Sequence, residues 1–213
     1  NAHVCIAPPT IAGAAAATAI VGGAMHTCAL LLSGEVMCWG RAGMQGGADD
    51  GSLREQMQPA RVSDLGGVVE LTANDFTTCA RRSDGAVLCW GRNLGKRPYG
   101  PGPDEHHLPV AIDAFRDARR IAAGGLHVCA IHGADHALSC LGLDHDIDQP
   151  GTYNDPLPPV ASGWRGALAL STGGRATCFK RAGEAPWTCW GGDLHAAAAA
   201  PVAGSEAMQT LHL

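Results

Sequence analysis

The chain has 213 residues, a formal net charge of −5 and only 16% charged residues. This charge argues against a nucleic-acid partner, because phosphate binding needs a stripe of Lys and Arg that the sequence does not show. No apolar run approaches the ~18 residues that a spanning helix needs, so the sequence predicts no membrane span.

The composition predicts several small cores. Apolar residues make up 46% of the chain, which is typical of globular proteins, but alanine is the commonest of them. Phe, Trp and Tyr together make up only 5%. One large core is therefore not expected, and small cores that are each pinned by a covalent link fit this composition better.

Four copies of one sequence unit follow one another along the chain. The first cysteines of the copies lie 51, 50 and 49 residues apart. A fixed period of this size is typical of a repeat architecture. Each copy opens with a short extended segment that begins at proline: Pro9-Thr10-Ile11, Pro59-Ala60-Arg61-Val62, Pro109-Val110-Ala111-Ile112 and Pro158-Pro159-Val160.

A short apolar strand and a turn follow this opening segment. The turn contains Gly22-Gly23 in copy one, Asn74-Asp75 in copy two, and Gly124-Gly125 and Gly173-Gly174 in copies three and four. Glycine adopts positive φ without strain, and Asn and Asp tolerate it better than other residues. We therefore expect positive φ in this turn.

A β-hairpin flanked by two cysteines completes each unit. In copies one and two, the loops Leu32-Ser33-Gly34 and Ser83-Asp84-Gly85 end in glycine, as a type I turn followed by a left-handed residue requires. Copies three and four have four-residue loops, Gly133 to His136 and Ala182 to Ala185. This register sets the two cysteines of every copy opposite each other, within reach of a disulfide.

The opposed cysteines predict four disulfides: Cys28–Cys38, Cys79–Cys89, Cys129–Cys140 and Cys178–Cys189. The alternative is zinc, but zinc ribbons and fingers use C-x-x-C pairs, and none of these pairs has that spacing. Disulfides indicate an oxidising compartment, so we expect an extracellular, cell-surface or periplasmic protein. Asn1 is not an initiator methionine, as expected after removal of a signal peptide or in a fragment.

The repeated motif resembles the RCC1 (regulator of chromosome condensation) repeat family in its cysteine-bearing bacterial form. Copy three has Leu141 where the motif has Trp, and copy four has Ala176 where it has His. Copy one carries the resemblance most closely, through Gly22-Gly23, His26-Thr27-Cys28-Ala29-Leu30, Gly34, Val36 and Cys38-Trp39-Gly40.

The resemblance implies an all-β fold, a β-propeller of four-stranded blades that usually number seven. We expect one domain over residues 1–213, and each blade to combine the opening strand, the strand before the turn and the two hairpin strands. The four full units cover about 8–58, 59–108, 109–157 and 158–200.

The two ends of the chain resemble parts of one further unit. Residues 201–213 look like the opening of a fifth unit, and His3-Val4-Cys5 looks like the His-Val-Cys of copy three. We expect residues 201–213 and 1–7 to form a split blade that closes the propeller, or edge strands that another chain completes. Cys5 is the ninth cysteine, and we expect it to be free or bonded to another chain.

Several side chains invite a functional interpretation. His26 and His127 share a strand face with their cysteines, and the resemblance implies that they pack and hydrogen-bond. His106-His107 is expected in a solvated loop. The tryptophans after the second cysteines are expected to pack between blades because of their large area: Trp39, Trp90 and Trp190.

The acidic run Asp144-His145-Asp146-Ile147-Asp148 echoes a calcium loop, with Asp144, Asp146 and Asp148 as candidate ligands. Its sixth position is Gln149, however, where a calcium loop has glycine. We therefore expect no metal ion. No Gly-x-Ser-x-Gly elbow or phosphate-binding loop is present, and we expect no cofactor and no catalytic residue.

The long connections 41–58, 92–108 and 143–158 differ in length, charge and content. A rigid scaffold with divergent loops is typical of a binding surface. The sequence thus predicts a non-catalytic protein-binding module that uses these loops. The alternatives are a subunit of a larger assembly, or an enzyme or lectin-like domain that uses the central channel. Nucleotide exchange on a small GTPase, known from the family's founder, is not carried over, because fold does not imply function.

Overall fold

A computed structural model describes residues 17–40, 56–91, 106–125, 127–142, 164–173, 176–183, 187–191 and 200–201. In this part of the chain the regular structure is β, apart from one 3₁₀ turn at Asp113–Phe115. No helix of the described ranges could cross a membrane. The strands are β1 Ala17–Gly22, β2 His26–Leu31, β3 Val36–Gly40, β4 Gln56–Arg61, β5 Val68–Ala73, β6 Thr77–Arg82, β7 Val87–Gly91, β8 His106–Ala111, β9 Ala118–Gly124, β10 His127–His132, β11 Ala137–Gly142, β12 Ala167–Thr172, β13 Ala176–Arg181, β14 Thr188–Gly191 and β15 Ala200–Pro201.

The strands form antiparallel sheets in chain order. Sheet 1 is β1 to β4, sheet 2 is β5 to β8 and sheet 4 is β12 to β15, while the described strands of sheet 3 are β9 to β11. All-β architecture with one sheet per repeat was predicted, and it is confirmed. The predicted hairpin register is also confirmed, because each pair of cysteines is directly opposed and disulfide-bonded.

The opening strands of the second and third units, the two that the structure describes, lie in a different sheet from the one we expected. Ala60, in β4, pairs with Cys38 of the preceding hairpin, and Val110, in β8, pairs with Cys89. After β3 the chain must return to the other end of the sheet before it can cross to the next one. The returning strand therefore pairs at the edge of the sheet just completed, and the sheets are offset from the sequence units by one strand.

Two further expectations change with this offset. His106 and His107 begin strand β8, so their assignment to a loop was wrong. Pro201 pairs with Thr188 and is therefore part of the last strand of sheet 4. The other residues of the split blade, 1–7 and 202–213, lie outside the described residues, and that blade stays a prediction.

The apolar core lies between the sheets, and the disulfides are part of it. Cys28 and Cys38 pack against sheet 2, Cys79 and Cys89 against sheet 3, and Cys129 and Cys140 against sheet 4. Trp90, on the opposite face of sheet 2, is completely buried in the core shared with sheet 1, as we predicted. Trp39 is partly buried, and the side chain of Trp190 lies outside the described part of the structure.

Each hairpin also holds the linker to the next sheet. The backbone N–H of Val62 donates to Val36, and that of Ala118 donates to Gly85 at the tip of the second hairpin. Gly34 and Gly85 have φ of 80° and 84°, the left-handed conformation predicted for these loops. We call this end of the sheets the hairpin edge. The opposite end, where the Gly-Gly or Asn-Asp turns lie, is the turn edge.

Removing the second disulfide should weaken two sheets at once. In Cys79→Ala/Cys89→Ala the unfolded chain gains roughly 3 kcal/mol of loop entropy, and the core shared with sheet 3 loses two fully buried sulfurs. We expect a lower urea midpoint. Cys178→Ala/Cys189→Ala is the control and should cost less, because Cys178 is only partly buried.

Peptide mapping without reduction checks the same register independently. Four bridges within the hairpins are expected. A bridge that joins two different repeats would contradict the opposed arrangement.

Candidate functional site

Two histidines connect neighbouring sheets near the turn edge. Nε2 of His26, at the start of β2, lies 2.7 Å from Oγ1 of Thr78 in sheet 2. Nε2 of His127 in sheet 3 lies 2.6 Å from Oγ1 of Thr177 in sheet 4. All four side chains are buried, so these hydrogen bonds are part of the contact between sheets.

The disulfide and the burial of Nδ1 together determine the direction of the hydrogen bonds. Thr78 Oγ1 also lies 3.7 Å from Cys28 Sγ, a sulfur that carries no proton because it is disulfide-bonded. The Nδ1–H tautomer of His26 would bury a donor without an acceptor, so the favourable arrangement has Nε2–H of His26 donating to the hydroxyl oxygen and the Thr78 hydroxyl donating to the sulfur. This assigns the neutral Nε2–H tautomer to His26, with a bare Nδ1 that is buried without a partner.

Burial makes the charged form of these imidazoles unfavourable. Desolvation lowers the pKa of His26 from 6.5 to about 4 and also lowers the pKa of His127. Protonation of His26 would place a proton on Nδ1, which has no acceptor. Both residues are therefore neutral structural hydrogen-bonding groups at physiological pH.

The contact between sheets 2 and 3 lacks both the histidine and the threonine of this hydrogen bond. Thr77 stands at the position of His26 and His127, and Val128 stands at the position of Thr78 and Thr177. Val128 is buried in the apolar core of this contact. The exchange of both partners avoids an unpaired buried polar group, which would cost about 1–3 kcal/mol.

A glycine makes room for each of the two imidazoles. A Cβ on Gly23 would lie 2.6 Å from His26 Nδ1, and a Cβ on Gly124 would lie 2.9 Å from His127 Nε2. In sheet 2, which lacks the histidine, Asn74 takes this position, and its Oδ1 accepts hydrogen bonds from the N–H groups of Phe76 and Thr77.

The expectation of positive φ was wrong for Gly22, Gly23, Gly124 and Gly173 in this turn, because none of them has a φ in the left-handed region. Gly23 and Gly124 are required instead because a Cβ at either position would overlap the neighbouring imidazole and a backbone carbonyl. The sequence signal that could have revealed this is the pairing of Gly with His, and of Asn with Thr, three residues apart.

An open groove lies at the hairpin edge between sheets 2 and 3, a site that sequence reasoning missed. Its volume is about 620 Å³. Both of its arginines already have partners: Arg81 pairs with Glu70 at 2.6 Å, and Arg119 donates to the Gly133 carbonyl. The lining is formed by Arg81, Ser83, Asp84, Gly85, Asp117, Ala118, Arg119, Gly133 and Ala134. The groove is a polar recess whose arginines are already paired, and it is suited to contact with a polar surface.

The remaining predicted sites fall largely outside the described residues. This holds for Asp144, Asp146 and Asp148, and for most of the loops 41–58, 92–108 and 143–158. Within the ranges that the structure describes, no three His, Cys, Asp or Glu side chains are placed to hold a metal ion. The calcium hypothesis therefore stays untested.

Sheets of up to four antiparallel strands, packed face to face in chain order, define a repeat protein of the β-propeller class. A family model described as the regulator of chromosome condensation (RCC1) repeat matches residues 17–43 and 68–94. The chain is thus built from RCC1 repeats.

Known proteins of similar sequence and structure agree with this assignment. The chain is 34% identical over 171 residues to the ultraviolet-B receptor UVR8 of Arabidopsis thaliana, covering 71% of the chain and 38% of that relative. Human WBSCR16 superimposes with a TM-score of 0.61 at 18% identity, covering 82% of the chain and 47% of that structure. Prp20p of Saccharomyces cerevisiae superimposes with a TM-score of 0.62 at 22% identity, covering 81% of the chain and 44% of that structure. The chain spans less than half the length of each of these proteins.

Gly23→Ala should destabilise the contact between sheets 1 and 2. The new Cβ would overlap the His26 ring and the Asn74 carbonyl, so the Nε2–Thr78 hydrogen bond must lengthen or break. We expect a lower melting temperature in a thermal scan. Gly173→Ala is the matched control, because a Cβ there has open space and the φ is ordinary; equal losses for both variants would contradict the close-approach explanation.

Stability should fall as the pH is lowered from about 6.5 to about 4. The folded pKa of His26 is below its unfolded value, so the unfolded chain binds more protons in this window and gains relative stability. Urea midpoints measured across it should decrease. His26→Thr/Thr78→Val, which copies the Thr77 and Val128 pair, should flatten the curve; an unchanged slope would exclude His26 as a source.

Proposed function

We propose that this chain is a non-catalytic protein-binding module that acts outside the cytoplasm, with the long connections at the turn edge as its contact surface. The observation that carries the proposal is where these connections begin and end. Gly40 and Gln56 are paired neighbours in sheet 1, and Gly91 and His106 are paired neighbours in sheet 2. Segments 41–55 and 92–105 therefore both leave from and return to the turn edge.

The sheets form a scaffold that is suited to carry variable loops. The sheets share their apolar residues with one another, and each hairpin carries a disulfide that limits its deformation. Binding residues concentrate on loops that a rigid scaffold positions.

The same fold serves protein recognition in other chains. The structure of Prp20p is reported with its binding properties to Gsp1p and histones, and yeast RCC1 (Prp20) has been solved bound to Kap60. These partners belong to those proteins. They support the general use of the fold as a protein-binding scaffold. The loops of this chain would determine which partner it binds.

The disulfides support a location outside the cytoplasm. Eight cysteines are paired within their hairpins, and disulfides persist in oxidising compartments. An extracellular, cell-surface or periplasmic location fits this chemistry. The partner is then a protein of the same compartment.

Replacing residues 92–105 with a short Gly-Ser linker should abolish partner binding without loss of stability. The ends of this segment are paired neighbours, so a few residues can connect Gly91 to His106. The measurement is capture of surface proteins from the native cells, identified by mass spectrometry, together with the melting temperature. We expect the proteins captured by the parent chain to be lost.

Arg119→Ala is the matched control at the hairpin edge, because Arg119 lines the groove. Binding should survive this substitution. If Arg119→Ala abolishes capture and the replacement of 92–105 does not, the contact surface is the groove and the turn-edge proposal fails.

A further inference from the structure

The face of sheet 1 that points away from sheet 2 matches the faces that receive a neighbouring sheet elsewhere. We call it the leading face of the sheet. On sheet 2, the leading face packs against sheet 1 and hydrogen-bonds His26 through Thr78. Strand pairing places these four residues on the leading face of sheet 1, at the positions of Leu71, Thr78, Ala80 and Trp90 of sheet 2: Ile20, Thr27, Ala29 and Trp39.

Three of these four positions are more exposed on sheet 1 than on sheet 2, whereas Ala29 is as buried as Ala80. Ile20 is 65% exposed, whereas Leu71 is 7% and Ile121 is 6% exposed at the same position of sheets 2 and 3. Thr27 is half-buried, whereas Thr78 is fully buried. A large apolar side chain and a threonine are therefore placed for a contact that no described residue makes.

Thr27 identifies the chemistry of the missing neighbour. The other two threonines at this position, Thr78 and Thr177, each lie within 2.7 Å of an imidazole from the preceding sheet. Where the histidine is absent, as at Thr77, the opposing residue is Val128. Threonine thus occurs at this position where a histidine of the preceding sheet bonds it, and valine occurs where that histidine is absent. Thr27 therefore indicates a neighbouring strand with a histidine two residues before a cysteine.

Sheet 4 does not supply this histidine. Its residue two positions before the first cysteine is Ala176. Packing sheet 4 on sheet 1, within one chain or between two copies, would place an alanine opposite Thr27. The contact instead requires a segment with a histidine two residues before a cysteine.

We propose that residues 3–8 form the strand that covers the leading face of sheet 1, with the His3 imidazole hydrogen-bonded to Thr27 Oγ1. His3-Val4-Cys5 has the required spacing. If the strand 3–8 runs in the same direction as β2, it ends at the hairpin edge. Strand β1 begins at this edge, with Ala17. Residues 9–16 can span up to about 26 Å, and packed sheets lie about 10 Å apart.

An exchange of partners in the full chain tests the contact. His3→Thr and Thr27→Val each remove one partner of the hydrogen bond. Each should therefore reduce the ratio of folded to unfolded protein by about fivefold. The double variant copies Thr77 and Val128, so it should recover most of that loss. The measurement is chemical denaturation of all four proteins.

The same exchange at a known contact calibrates the result. His26→Thr and Thr78→Val should show the recovery, because their hydrogen bond is present in the structure. If this control pair recovers while the effects of His3→Thr and Thr27→Val simply multiply, His3 does not contact Thr27 and the proposal is wrong.

A second measurement does not depend on the hydrogen bond. Ile20→Asn should lower the melting temperature if the leading face is covered, whereas Leu32→Asn, at a hairpin tip where Leu32 is 76% exposed, should not. Light scattering should give a monomer. No loss for Ile20→Asn would overturn the proposal, as would a dimer that Ile20→Asn dissociates, because a second copy would then be the occupant.

Discussion

The contact between successive sheets is the interaction on which the rest of this structure depends. A sheet of three or four short strands has too little apolar surface for a core of its own, and each described core combines residues of two neighbouring sheets. The disulfides of sheets 1 to 3 lie on the face that meets the next sheet. They therefore hold the hairpin together and also fill space between sheets, alongside the few aromatic side chains such as Trp90.

Local features of the fold could be predicted from the sequence. Cys28 and Cys38 flank a three-residue loop ending in Gly34, and hairpin geometry alone then sets them opposite each other. The strand that holds Pro59 was assigned to the wrong sheet, because sequence order does not show on which side a returning strand pairs. The function of Gly23 was also missed, since it depends on an imidazole and a carbonyl of the neighbouring sheet.

Only part of the candidate site could be predicted in the same way. The long connections were recognised by their divergence, and the positions of Gly40 and Gln56 now place their ends on one edge. The groove beside Arg119 was not foreseen, because it is formed by a linker, a hairpin and a turn from two different sheets. A recess of this kind has no pattern within a single segment.

The matched residues at the contacts also restrict how such a chain can change its number of repeats. His26 suits a neighbour with threonine, and Thr77 suits a neighbour with valine, so each repeat is adapted to the one that follows it. Deleting the second repeat would bring His26 against Val128 and bury an imidazole without its hydroxyl partner. Duplicating the first repeat would instead set His26 against Thr27, a matched pair, so the contacts themselves determine which changes in length this architecture tolerates.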